Sequence, residues 1–160
     1  MAATLRFLQI FSLGTWVGSI LFFSFVVAPG AFSLLPTTEL AGNIVGYSLG
    51  KLHVIGVVAG IVYLVATAAA EKSVAALARP APLLVFAMVV LTVVSQHMVI
   101  ARMDVLRLQM AQQMGSVSAT PMDNPLRAAF DSLHRISVRL EGTVLLSGLV
   151  AMFFTARLKS

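Results

Sequence analysis

Three histidines and six acidic residues are set in a chain of 160 residues that is otherwise mostly apolar. Their spacing limits the chemistry they can share. His97 and Asp104 are seven residues apart, which on a regular helix puts them on one face, with Arg107 one turn further on. His134 and Glu141 repeat that spacing. Asp131, Arg135 and Arg139 step by four along the neighbouring face, which suits ion pairing within a helix. His53 shares a face with Gly56 and Gly60. Together His53, His97, Asp104, His134, Arg139 and Glu141 form a polar seam.

Neutral imidazole ligates copper, zinc and iron, and thioethers suit Cu(I). The candidate metal set is therefore His53, His97 and His134, with Met103 or Met110 beside it and copper or haem as the group held. No spacing matches a compact metal motif, and Met is also an ordinary core filler. No cofactor is expected on that basis. The competing reading is structural: the seam residues pair with one another or reach toward water, and so fix the register of the helices. Ser48-Leu-Gly-Lys51 matches S-x-x-K without its supporting motifs, and no phosphate loop, H-E-x-x-H or G-x-S-x-G occurs. The absence of cysteine removes thiol nucleophiles, thiolate metal sites and disulfides. No residue argues for an enzyme.

The elements that must carry the seam follow from composition. Hydrophobic residues make up 59% of the chain and charged residues 11%, with mean hydropathy +0.96. A soluble domain carries roughly a quarter charged residues, so this surface faces lipid. The net charge of +5 is explained by loop charges that orient membrane helices, not by nucleic acid. A helix needs about 20 apolar residues to cross the hydrocarbon. The pattern predicts an all-α membrane protein, a single four-helix domain with spans at about 5–27, 52–70, 83–101 and 138–156. The first run is too long for a signal peptide and ends near Pro29-Gly30. The stretch 35–51 reads as a short interfacial helix or as entry into the second span. The third and fourth helices extend past the bilayer, to about Met114 and back to Asn124 or Pro125, on the non-cytoplasmic side.

Four spans place both termini together. Arg6, Lys72, Arg79, Arg157 and Lys159 then flank the cytoplasmic side of a bacterial plasma membrane, if Arg102, Arg135 and Arg139 are paired with acids. Gly14-x-x-x-Gly18 and Gly56-x-x-x-Gly60 are expected to mark helix-packing faces, and Gly46-x-x-x-Gly50 is a third match.

Phe130-Asp-Ser-Leu-His134-Arg-Ile-Ser137 resembles the F-x-x-x-H-x-x-S signature opening the last helix of the transmembrane protein 205-like family. Trp16-Val-Gly-Ser-Ile-Leu-Phe-Phe, then Ala28-Pro29-Gly-Ala-Phe32, is similar to that family's first helix and its A-P-x-x-F exit. Ala41-Gly42 also fits, whereas Tyr47-Ser-Leu-Gly-Lys-Leu-His53 departs from the usual aromatic segment. The resemblance implies four spans and assigns Phe130, His134 and Ser137 to a shared site or packing motif. It implies no mechanism.

Three functions fit these residues. One is a non-enzymatic membrane protein whose seam organises the bundle or binds a small ligand or ion. Another is a redox or metal-handling protein, and the last an accessory subunit, or a homo-oligomer, in a larger membrane complex.

Overall fold

Apolar runs bounded by helix-stopping residues give four long helices in the computed structural model, which describes residues 2–157. They are Ala3–Leu34, Thr38–Glu71, Pro80–Met114 and Pro125–Arg157, each long and apolar enough to cross a membrane. At 1.5 Å per residue each is about 50 Å long, against about 30 Å of hydrocarbon, so every helix projects beyond it. No strand occurs among the described residues. Lys159 lies outside them.

The helix ends follow from local chemistry. The Thr37 hydroxyl accepts from the Leu40 N–H at 3.2 Å, and Glu39 in the first turn suits the positive end of the second helix. That helix closes at Lys72, in the left-handed conformation at φ 50°. A short 3-10 turn, Val74–Ala78, leads to Pro80, whose missing N–H is harmless at a helix start. Arg79 spans this loop by hydrogen-bonding Glu71 at 2.7 and 3.0 Å, which raises its pKa above the ordinary arginine value. The third helix ends at Gly115, φ 85°, a conformation that suits glycine. The Asn124 side-chain oxygen, Oδ1, accepts from the Leu126 N–H at 2.9 Å and starts the fourth.

Two departures from regular α-helix shape the result. The first helix does not stop near Pro29 but continues to Leu34 through a π-helical stretch, Phe23–Val27. There the Ala28 N–H reaches back to the Phe23 carbonyl, and Pro29 follows in a renewed α-helical turn. The third helix carries a second π stretch, Ser95–Ile100. Residues 38–51 form no separate interfacial helix, being the opening turns of the second helix.

Neighbours in sequence are neighbours in space: first on second, second on third, third on fourth, and fourth back on first. The core sits near mid-length around Trp16, fully buried with Leu13, Val17, Ile20, Tyr63, Val85, Met88 and Val144. Gly56 and Gly60 make room for the indole, since a Cβ on either would overlap it. Gly14 and Gly18 do something different. A Cβ on either meets nothing within 4 Å, because Leu13, Trp16, Val17 and Ile20 occupy the inward face of that helix. Gly50 is likewise open.

The end holding the termini is tied shut by side chains. Gln9 donates to Thr67 at 3.0 Å, the Tyr63 and Thr155 hydroxyls meet at 2.6 Å, and Arg6 donates to the Thr155 carbonyl. The opposite end is open.

Candidate functional site

Beyond the Trp16 core the first and fourth helices part. The last turns of the first helix, Ala28–Leu34, pack on the second. A cleft of about 910 Å³ remains, walled by all four helices and the loop after the third. Its walls are mostly apolar, with Ile20, Phe23, Leu49, Ile100, Met103 and Leu145 among them. Phe25, Phe32 and Val138 line it and are themselves exposed, so the cleft opens at the surface of the bundle.

The floor is a buried polar chain. His53, 2% exposed, meets Gln96 Oε1 through Nδ1 at 2.7 Å and Glu141 Oε2 through Nε2 at 3.3 Å. With the Gln96 oxygen turned to it, Nδ1 donates. The other carboxylate oxygen, Glu141 Oε1, is buried without a hydrogen-bond partner, and Glu141 lines the cleft. Such an atom is costly unless something fills its coordination.

Depth separates floor from rim. Glu141 lies about 24 Å along the fourth helix from Arg157, and His53 about 27 Å along the second from Glu71. If one interface passes through those ends, both lie within the roughly 30 Å of hydrocarbon. Asp104 and His134 lie about 35 Å from the same ends of their helices, at the interface or past it.

The rim is held by ion pairs and backbone contacts. Glu39 accepts from the Val117 N–H at 2.8 Å and the Ser118 hydroxyl at 3.0 Å, which pins the loop to the second helix. Arg127 pairs with Asp131 at 3.2 Å and donates to the Val117 carbonyl at 2.7 Å. Arg107 lies over Gly42 and Gly46, donates to the Gly42 carbonyl and to Asn43, and sits 5.8 Å from the Phe130 ring. Asp104 and His134 line the cleft, and no hydrogen bond or ion pair engages either among the described residues.

The residues expected from sequence divide accordingly. Phe130, His134, Ser137 and Glu141 fall on one wall of the cleft, with Asp104 on another and His53 behind Glu141. His97 does not join them. It is exposed and lines a small separate hollow with Met98 and Arg102. The π stretch winds extra chain between His97 and Asp104, which turns their faces apart by about 100°, one residue's share of a turn. The three histidines therefore do not converge. Among the described residues, no group of three or more His, Asp or Glu could hold a metal. Met103 and Met110 are buried packing residues. Arg139 is exposed and off the cleft, and Asp131 pairs with Arg127 instead of Arg135. Arg102, Arg135 and Arg139 make no ion pair among the described residues, so the charge pattern orients the chain less strongly than their spacing implied. Sequence spacing missed Gln96, Arg127 and the glycine bed under Arg107. A polar Gln inside the apolar run of the third helix was the available signal for the first.

Residues 11–112 match the family model described as a domain of unknown function, DUF4149. The match ends before Phe130, so it does not reach the F-x-x-x-H-x-x-S segment. No curated protein and no solved structure matches the chain.

Proposed function

The chain belongs to the DUF4149 family, whose description names no activity, and from that premise we propose that it binds a single-chain amphiphile from the bilayer. One observation carries this reading: a largely apolar cleft, open at the surface of a bundle whose helices are long and apolar enough to cross a membrane, is lined by Glu141, whose Oε1 is buried without a partner. Apolar walls with a few placed polar groups are the usual make-up of a small-molecule site. The alkyl chain would lie along Phe23, Leu49, Ile100 and Leu145, and the head would meet Glu141. The likeness of Phe130, His134 and Ser137 to the transmembrane protein 205-like signature fits such a shared site.

Gly142 offers the test, since it lines the cleft and a Cβ there meets nothing within 4 Å. Gly142→Phe puts an aromatic ring into the cleft next to Glu141 without a Cβ clash. The wild type is expected to retain one single-chain amphiphile per protein by native mass spectrometry, and Gly142→Phe to retain none.

Both termini are proposed to lie in the cytoplasm of a bacterial plasma membrane, with the cleft on the outer side. Support comes from Arg6, Lys72, Arg79 and Arg157 flanking the other end. The chain has no cysteine, so Ala75→Cys and Ala119→Cys are clean reporters at exposed loop positions. An impermeant maleimide on intact cells is expected to label Ala119→Cys and spare Ala75→Cys. The reverse pattern inverts the orientation.

A further inference from the structure

The amphiphile reading leaves the head group open, and the charges lining the cleft narrow it. Glu39, Asp104, Asp131 and Glu141 line the cleft with Arg107, Arg127 and His134, and His53 stands behind Glu141. The arginines are committed members. Arg127 holds Asp131 and the Val117 carbonyl, and Arg107 is laid flat on Gly42 and Gly46 with Asn43 and Phe130 around it. Glu39 is spent on the loop. The uncommitted acid groups are Asp104 and Glu141 Oε1, both acceptors when ionised. Phe23, Phe25, Phe32 and Phe130 add ring faces, which attract cations.

We infer that the occupant is a cationic amphiphile, an alkyl chain ending in an ammonium group, with Glu141 Oε1 and Asp104 receiving the cation. The inference rests on the amphiphile reading and adds the sign of the head. An ammonium supplies the donors that Oε1 lacks, in a setting where a charge-assisted hydrogen bond is stronger than in water. Asp104 at the rim attracts the cation before the deeper carboxylate takes it.

The experiment compares dodecylammonium, dodecyl maltoside and dodecanoate, below their micellar concentrations, on the full chain in nanodiscs of zwitterionic lipid. Dodecylammonium is expected to bind at least about tenfold more tightly than the maltoside, the scale of one hydrogen bond to a charged group. Glu141→Gln, which can still hydrogen-bond His53, is expected to erase most of that preference. The exposed Asp104→Asn should weaken dodecylammonium a few-fold and leave the maltoside unchanged. Equal binding of all three heads, tighter dodecanoate, or an undiminished preference in both variants overturns the cationic assignment while the amphiphile reading stands. Binding of none of the three, with the wild type folded, overturns both.

Discussion

Gly56→Ala is expected to destabilise the protein more than any other single-methyl change in the bundle. The added Cβ would lie 2.2 Å from Trp16 Nε1 and 2.5 Å from Cε2. The indole is fully buried, so it has no free space to swing into. Overpacking a filled core costs about 1–3 kcal/mol, and contacts this short belong at the upper end. For a chain of this size that corresponds to a fall of roughly 5–10 °C in the thermal midpoint in detergent. Gly14→Ala supplies the contrast, because its Cβ meets nothing and the change should be nearly silent. Adding Trp16→Leu to Gly56→Ala should recover part of the loss, since the two side chains then no longer compete for one space. Equal midpoints for Gly14→Ala and Gly56→Ala would contradict the packing described for Trp16.

Glu141→Leu is the second large effect. It strips the carboxylate from His53 Nε2 and leaves a 2% exposed imidazole with Gln96 as its remaining partner. An unsatisfied buried polar group costs about 1–3 kcal/mol. Glu141→Gln keeps a partner for Nε2 and should cost much less. Replacing both members, His53→Leu with Glu141→Leu, should be milder than adding the single losses, because neither member of the pair is then left facing an apolar side chain, although Gln96 loses its partner with His53. Thermal unfolding of the four proteins in one detergent measures the coupling. Additive losses would show that the pair does not act as a unit.

How much of this was legible in the sequence depends on the range of the signal. The four helices follow from uncharged runs, and their ends from Thr37, Pro80, Gly115 and Asn124, because capping and chain breaking act within a few residues. The wall formed by Phe130, His134, Ser137 and Glu141 was also legible, since the fourth helix is regular from Pro125 to Arg157 and spacing translates directly into a face. On the third helix the same rule failed. The π stretch at Ser95–Ile100 rotates the downstream residues, and nothing local in Ser95-Gln96-His97 announces it. Glycine spacing was an incomplete guide for a related reason. Gly56 and Gly60 are filled by a tryptophan on the neighbouring helix, while Gly14 and Gly18 point away from that tryptophan's own contacts. The bed of Gly42 and Gly46 under Arg107 is a long-range pairing of the same kind. The two π stretches supply residues to opposite sides of the cleft, Phe23 and Phe25 from one and Ile100 from the other, so the least predictable backbone shapes the site.

The claim that the cleft between the first and fourth helices is a binding site is tested most directly by native mass spectrometry of the wild type beside Gly142→Phe. Both proteins would be released gently from the same membrane lipids. One single-chain amphiphile on the wild type and none on an equally stable Gly142→Phe is the predicted result. An empty wild type, or the same adduct on both proteins, would contradict it.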